Sequence, residues 1–379
     1  MKKLGLLPLA IAVFAMFFGA GNIVFPLIIG RKAGSAIPYA MLGFILTAVV
    51  VPIIGFVGTI LFKGDYDKFF FKIGKIPALL VIALCMLIIG PLGASRCVII
   101  SYSAIQNYIP FSLFYYTLIV ALIVFILAIR ENKVVAILGR FLGPVKIILL
   151  LTIIVLVMIT FHKIPSTNVS MSAGLFSGLK EGYFTLDLIG SFFFSHLIYT
   201  TMAEQHKTSS ARKIALLGVK AGILGGVFLA IIYGGFGLVS ALHGPSLANI
   251  LPEDLFSTLA TQILGPYGSI LANLTVAIAT ITTAIALTTV FADYLCYDIL
   301  RGKIPYIFVL LLTIFINIVM ENLKFAGIMK IIAPVAILIY PSFIVLSIAN
   351  ICNKTFGFKY IKTVVFITFA TTCILQFFI

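Results

Sequence analysis

Charge is what this sequence has least of. Only 10% of its 379 residues are charged, and the acidic sign is the scarcer, 11 residues against 26 basic ones. A soluble domain carries about 25% charge, so a free globular protein is excluded. There is no HExxH string and no zinc-ligand cluster, which removes the commonest metalloenzyme readings. An intramembrane aspartyl protease needs two paired acids, and Asp187 and Asp293 sit in no motif that supports one. No nucleotide-binding loop appears, so the chain carries no ATP-driven machinery of its own. CxxC pairs are absent too. Cys85, Cys97, Cys296, Cys352 and Cys373 are scattered in or beside apolar sequence, as small packing residues are. Trp is missing altogether, so anchoring at a membrane interface falls to residues such as Tyr66, Tyr115, Tyr116, Tyr267 and Tyr306.

What is present is apolar sequence. Hydrophobic residues make up 62% of the chain and the mean hydropathy is +1.23. Crossing a bilayer takes about 20 residues of helix. Eleven segments have that character: residues 6–30, 37–62, 77–104, 111–129, 134–160, 183–202, 214–242, 267–294, 305–320, 327–351 and 361–378. The fold class is therefore an all-α polytopic membrane protein of about eleven transmembrane helices. Lys2 and Lys3 followed by an apolar run imitate a signal peptide, but the run continues past the small residues of a cleavage site, so it is read as the first span.

A net charge of +15 raises nucleic acid as a partner. The basic residues instead sit in short loops between spans, so the expected surroundings are the lipid bilayer and no nucleic acid. With the N-terminus in the cytoplasm, nineteen Lys and Arg fall inside, Arg140 and Lys146 among them, six fall outside, and Arg96 lies within a span. This asymmetry supports the span count and orientation, and it puts the C-terminus outside. The loop 243–266 carries Glu253 and Asp254 without Lys or Arg, and a short helix is expected there over an external vestibule.

The first span is interrupted at its centre by Gly19-Ala20-Gly21-Asn22, with Pro26 a turn later. Broken backbone at membrane depth is tolerated only where protein or a water-filled cavity covers it. The sixth span holds Asp187 and then Gly190-Ser191 in mid-span. Breaks five spans apart are the pattern of an inverted repeat, with the transport site at the breaks. The expected divisions are residues 1–160 and 161–352 as five-helix repeats and 353–379 as an additional C-terminal helix.

The string Phe18-Gly19-Ala20-Gly21-Asn22-Ile23-Val24-Phe25-Pro26 resembles the opening motif of the bacterial branched-chain amino acid:cation symporters. Other strings follow in order: Gly90-Pro91 with Ala94 and Arg96, Leu138 through Lys146, Gly182 through Asp187, Thr282 through Thr288, and Ile339-Tyr340-Pro341. The resemblance spans nearly the whole chain. It implies a ten-helix inverted-repeat core like that of the sodium-coupled amino acid transporters, in the bacterial cytoplasmic (inner) membrane. It also implies import of leucine, isoleucine and valine with Na⁺, or H⁺ in some relatives. Members usually have twelve spans, where eleven are counted here.

A zwitterionic substrate at mid-membrane needs both charges matched at low cost. Free N–H groups near Gly21 and Asn22 suit its carboxylate, and free carbonyls near Phe17 and Phe18 suit its ammonium. The substrate site is thus expected over Phe18, Gly19, Ala20, Gly21 and Asn22, mirrored by Gly190, Ser191 and Phe192, with Phe193 and Phe194 as further walls for an isobutyl group. Glycines in membrane helices also serve as packing notches. By the resemblance, Na⁺ as coupling ion takes the Thr282 and Thr283 hydroxyls and the carbonyls of Ala279, Ala15 and Phe18. Thr hydroxyls in helices also bond their own backbone. Asp187, Arg96 and Asp293 are candidates for coupling or gating, Asp187 being a possible partner of Arg96. His196 reads as a helix contact before a proton relay. No catalytic residue and no cofactor beyond the ion is expected. The competing readings are a proton-coupled transporter of other amino acids on the same fold, and a non-transporting membrane sensor.

Overall fold

The computed structural model describes residues 4–109, 111–129, 134–159, 167–205 and 210–378. The charges assigned to Lys2, Lys3, Arg130, Lys133, Lys163 and Lys207 lie outside these residues. Every regular element among the described residues is helical. That follows from the composition, because a helix satisfies its backbone hydrogen bonds within itself where no water can do so.

Each of the eleven apolar segments carries a described helix. The first holds α1 (Leu6–Phe17) and α2 (Ala20–Ala33), and the second holds α3 (Ile37–Ile45) and α4 (Val51–Leu61) joined by a π turn. A short α5 (Tyr66–Phe70) leads to α6 (Lys75–Leu87) and α7 (Ala94–Ile105), again joined by a π turn, at Ile88–Gly93. Then come α8 (Leu113–Ala128), α9 (Val134–Ile137), α10 (Gly143–Ile159), α11 (Met171–Tyr183) and α12 (Asp187–Gln205). The remainder is α13 (Ala211–Leu242), α14 (Gly244–Leu247), α15 (Leu255–Asp293), α16 (Tyr306–Glu321), α17 (Lys324–Phe356) and α18 (Ile361–Phe378).

The solvent pattern is inverted relative to a soluble protein. Leu118, Leu122 and Ile126 of α8 point outward, while Asn22, Asp187, Thr282 and Thr283 are buried. Tyr115 and Tyr267 are exposed as interfacial anchors should be. Tyr116 corrects the expectation, being buried and bonded to the Ser101 hydroxyl.

The first break lies where the sequence puts it: α1 ends at Phe17 and α2 starts at Ala20. The second lies elsewhere. Residues 187–205 form one helix through Gly190-Ser191-Phe192, and the chain is unwound at Phe184–Leu186 instead. Leu186 has φ +67°, a left-handed conformation that costs a branched residue energy and is found where surrounding structure enforces it. The missing half of the sixth span is α11. Its small residues Gly174, Gly178 and Gly182 recur at i, i+4 and i+8 and meet Ala36, Ala40 and Thr47 at closest approach. A composition this rich in Gly and Ser, with Lys180 and Glu181, reads as loop; close backbone packing on α3 makes it a helix.

One end of the bundle is strapped shut. The Arg31 guanidinium, at the end of α2, donates to the carbonyls of Leu247 (3.0 Å) and Ile250 (2.8 Å). From α7, the Ser103 hydroxyl donates to the Glu253 carbonyl at 3.1 Å and to the Asp254 carboxylate. The short helix expected in loop 243–266 is there, as α14 and as the first turns of α15 up to Gly265, whose φ of +68° bends the chain into the eighth span.

Candidate transport site

The two breaks face each other across a narrow cavity of about 30 Å³. It is lined by Gly19, Ala20 and Asn22 from the first break and by Thr185, Leu186 and Asp187 from the second. Arg96, Cys97, Thr283 and Phe194 add to the wall. That volume holds water but is tight for a whole amino acid, so substrate entry requires the walls to part.

Asn22 organises the first break. Its Oδ1 accepts from the Gly19 N–H (2.9 Å), capping α2. Its Nδ2 donates to Asp187 Oδ2 at 2.6 Å and to the Tyr233 hydroxyl. Tyr233, from α13, donates to the same carboxylate oxygen at 3.0 Å. All three side chains are buried. The carboxylate beside the cavity is thus held by two donors and joins both breaks to α13. Tyr233 was not singled out in the sequence, where it is one of 15 tyrosines, in a Gly-rich helix with no local motif.

Arg96 and Asp187 form no ion pair among the described residues. The Arg96 guanidinium instead donates to the carbonyls of Phe184 (3.0 Å) and Thr185 (3.4 Å), the two peptide oxygens freed where α11 ends. Gly21 lets it pass: a Cβ there would stand 2.6 Å from Arg96 Nη2.

The sixth-span residues divide. Gly190 and Phe194 line the cavity, and Phe194 stacks edge-on against Phe17 with centroids 5.3 Å apart. Ser191 does not line it; its hydroxyl bonds the Leu188 carbonyl at 2.6 Å. Phe192 points into a separate aromatic cluster with Phe69, Phe70 and Phe343. Both depart from the expectation for the same reason. The break is at 184–186, so these residues lie a full turn into α12 on its other face.

Toward the opposite end of α12 a second cavity of about 250 Å³ is lined by Tyr66, Phe193, His196, Asp293 and Asp298. Asp293 is therefore remote from the two breaks. His196 Nδ1 lies 2.9 Å from the carbonyl of Gly64, in the turn between α4 and α5, and its ring packs on Tyr66 of α5.

The five expected cation ligands do converge, and their centre holds a lysine. Lys146 Nζ, counted as a loop charge, donates to the carbonyls of Ala15 (3.1 Å), Phe18 and Ala279 (2.8 Å). It also reaches the hydroxyls of Thr282 (3.2 Å) and Thr283 (3.5 Å). The residue is fully buried. A signal was readable: the span drawn over residues 134–160 already contained Lys146, three residues into the helix that Gly143-Pro144 starts.

Two broken helices that meet at a small central cavity with buried polar groups, inside an all-helical membrane bundle, define a transporter of solutes. The backbone agrees with that of a nucleobase-cation-symport-1 family transporter solved in a closed conformation, at TM-score 0.67 and 15% identity, over 92% of this chain and 78% of that one. The chain belongs to the branched-chain amino acid transport protein family, whose model matches residues 2–378. The Escherichia coli K12 branched-chain amino acid permease BrnQ is 27% identical, over 92% of this chain and 81% of the permease. The branched-chain amino acid transport system 3 carrier protein of Pseudomonas aeruginosa is 28% identical, over 93% of this chain and 82% of the carrier. This is a membrane transport protein and not an enzyme.

Proposed function

We propose that the protein imports leucine, isoleucine and valine across the bacterial inner membrane by alternating access, coupled to a cation gradient. The observation that carries this reading is the cavity between the two breaks, with its buried Asn22–Asp187–Tyr233 network. The N–H groups that open α2, at Ala20 and Gly21, suit the substrate carboxylate. The Asp187 carboxylate and the carbonyls near Phe17 suit its ammonium. Phe17, Ile89, Phe194 and Leu287 offer the apolar wall for a branched side chain. The pseudo-symmetric pairing of breaks supports two inverted halves, one rocking against the other. In the orientation with the N-terminus inside, the strap of Arg31 to residues 247–250 closes the external end. The cavity of about 250 Å³ at Tyr66 and His196 then lies on the inner side.

Sodium is the coupling ion implied by the expected ligand set. A second reading, in which a proton gradient drives uptake without sodium, is favoured by the Lys146 amine standing among those ligands. The test is [³H]leucine uptake into proteoliposomes under an inward Na⁺ gradient at constant pH, under a proton gradient without Na⁺, and under neither. Accumulation that isoleucine and valine compete away supports the substrate reading. No accumulation of any of the three under either gradient refutes it.

A further inference from the structure

Lys146 Nζ and a metal ion compete for one position. The oxygens around the amine are the carbonyls of Ala15, Phe18 and Ala279 and the hydroxyls of Thr282 and Thr283. They are the whole set expected to hold Na⁺. The orientation of the hydroxyls matters. Thr282 donates to the Ala279 carbonyl at 2.7 Å, and Thr283 donates to the Phe18 carbonyl at 2.8 Å. Their hydrogens are thereby committed to carbonyls and their lone pairs are left to accept. Five acceptors around an ammonium with three N–H bonds make a complete shell.

The rest of the surroundings suit a cation with no acidic partner. No carboxylate pairs with Lys146 among the described residues. Its charge is met by carbonyl dipoles at the C-terminal end of α1, the negative end of that helix. The rings of Phe18 and Phe14 lie 5.1 and 5.8 Å from Nζ and present further negative faces. A metal ion bound to these oxygens would overlap the amine and repel it as a like charge. The residues present therefore do not fit Na⁺ while Lys146 is in place.

We infer that the Lys146 ammonium is the resident cation of this site, tethered by α10 across the ends of α1 and the middle of α15, and that sodium does not bind there. The inference deepens the proposed function and rests on it for the meaning of the site. Leucine recognition then needs no sodium, and removing the amine leaves an oxygen cage that recruits a small external cation.

The experiment uses the full chain in nanodiscs, with [³H]leucine and ²²Na⁺ binding each read by scintillation proximity. The wild type is expected to bind leucine with the same affinity in sodium and in choline chloride, and to show no saturable ²²Na⁺ binding. Lys146→Ala is expected to lose about tenfold or more in leucine affinity in choline, the scale of losing a buried charged donor. Sodium or methylammonium should restore part of that loss, and adding Thr282→Ala and Thr283→Ala should abolish the rescue. Saturable ²²Na⁺ binding by the wild type that the two Thr→Ala changes remove would overturn the inference. So would wild-type leucine affinity in Lys146→Ala in choline. Should Lys146→Ala not fold, the two wild-type arms decide alone. If leucine does not bind at all, the substrate reading fails while the ²²Na⁺ arm still decides what holds the site.

Discussion

Asn22 is the residue on which both breaks depend. Its carbonyl oxygen caps α2 and its amide nitrogen holds Asp187, so one side chain fixes the N-terminus of one half-helix to the start of another. Asn22→Ala leaves the Gly19 N–H and the Asp187 carboxylate without these partners in a buried site. Such a loss costs about 1–3 kcal/mol, which converts to roughly 5–150-fold in leucine affinity if it falls on the binding-competent state. The check is equilibrium [³H]leucine binding to purified Asn22→Ala. Tyr233→Phe should cost less than Asn22→Ala, because it removes one donor to Asp187 and leaves the cap intact. Equal affinities for wild type and Asn22→Ala would show that the network is scaffolding remote from the ligand.

At the scale of elements, two contacts decide whether the site exists and when it opens. The α3–α11 crossing is so close that a Cβ at Gly178 would meet the Phe44 backbone nitrogen at 2.8 Å and overlap the Ala40 carbonyl. Backbone cannot step aside as a side-chain tip can. Gly178→Leu is expected to destabilise by more than the usual overpacking penalty of about 1–3 kcal/mol, read as a lower midpoint of thermal aggregation in detergent. An unchanged midpoint would mean that α11 does not pack this way. The strap at Arg31 acts on opening. Arg31→Ala removes two hydrogen bonds to residues 247 and 250 and should favour the state open at that end. Cys97 lines the central cavity and is buried. In a variant keeping only that cysteine, Arg31→Ala should speed its labelling by a membrane-impermeant thiol reagent applied from the Arg31 side. A rate equal to that of the unmodified strap would assign closure to other contacts.

For the whole molecule, the size of the closed cavity bears on selectivity. At about 30 Å³ it is tight for a whole branched-chain amino acid, so the pocket that discriminates widens as the walls move. An apolar pocket separates ligands differing by one methylene by about 1–3 kcal/mol. Leucine, isoleucine and valine should therefore compete with one another at affinities within about 200-fold, whereas aspartate and lysine should not compete at all. Competition against [³H]leucine uptake measures this directly, and inhibition by lysine as strong as that by valine would place a different pocket at the breaks.

The sequence by itself determined the membrane class, most of the span positions and the first break. Each rests on local composition: apolar length fixes a span, and Gly-Ala-Gly-Asn in its middle fixes an interruption. The oxygens of Ala15, Phe18, Ala279, Thr282 and Thr283 were also legible, because a resemblance ties them to one cluster and the structure brings them together. What only the tertiary structure decided depends on partners far along the chain. The second break moved to Phe184–Leu186 because α11 is held as a helix by glycines that fit α3, not by its own hydropathy. Tyr233 joined Asp187 across 46 residues with no local pattern to mark it. Lys146 was grouped with the loop charges, although the span over residues 134–160 contains it, since a lysine ordinarily faces water or headgroups. A buried lysine is stable only where enough oxygens converge on it, and that convergence, of oxygens from two helices on the lysine of a third, is a property of packing and not of any one stretch of sequence.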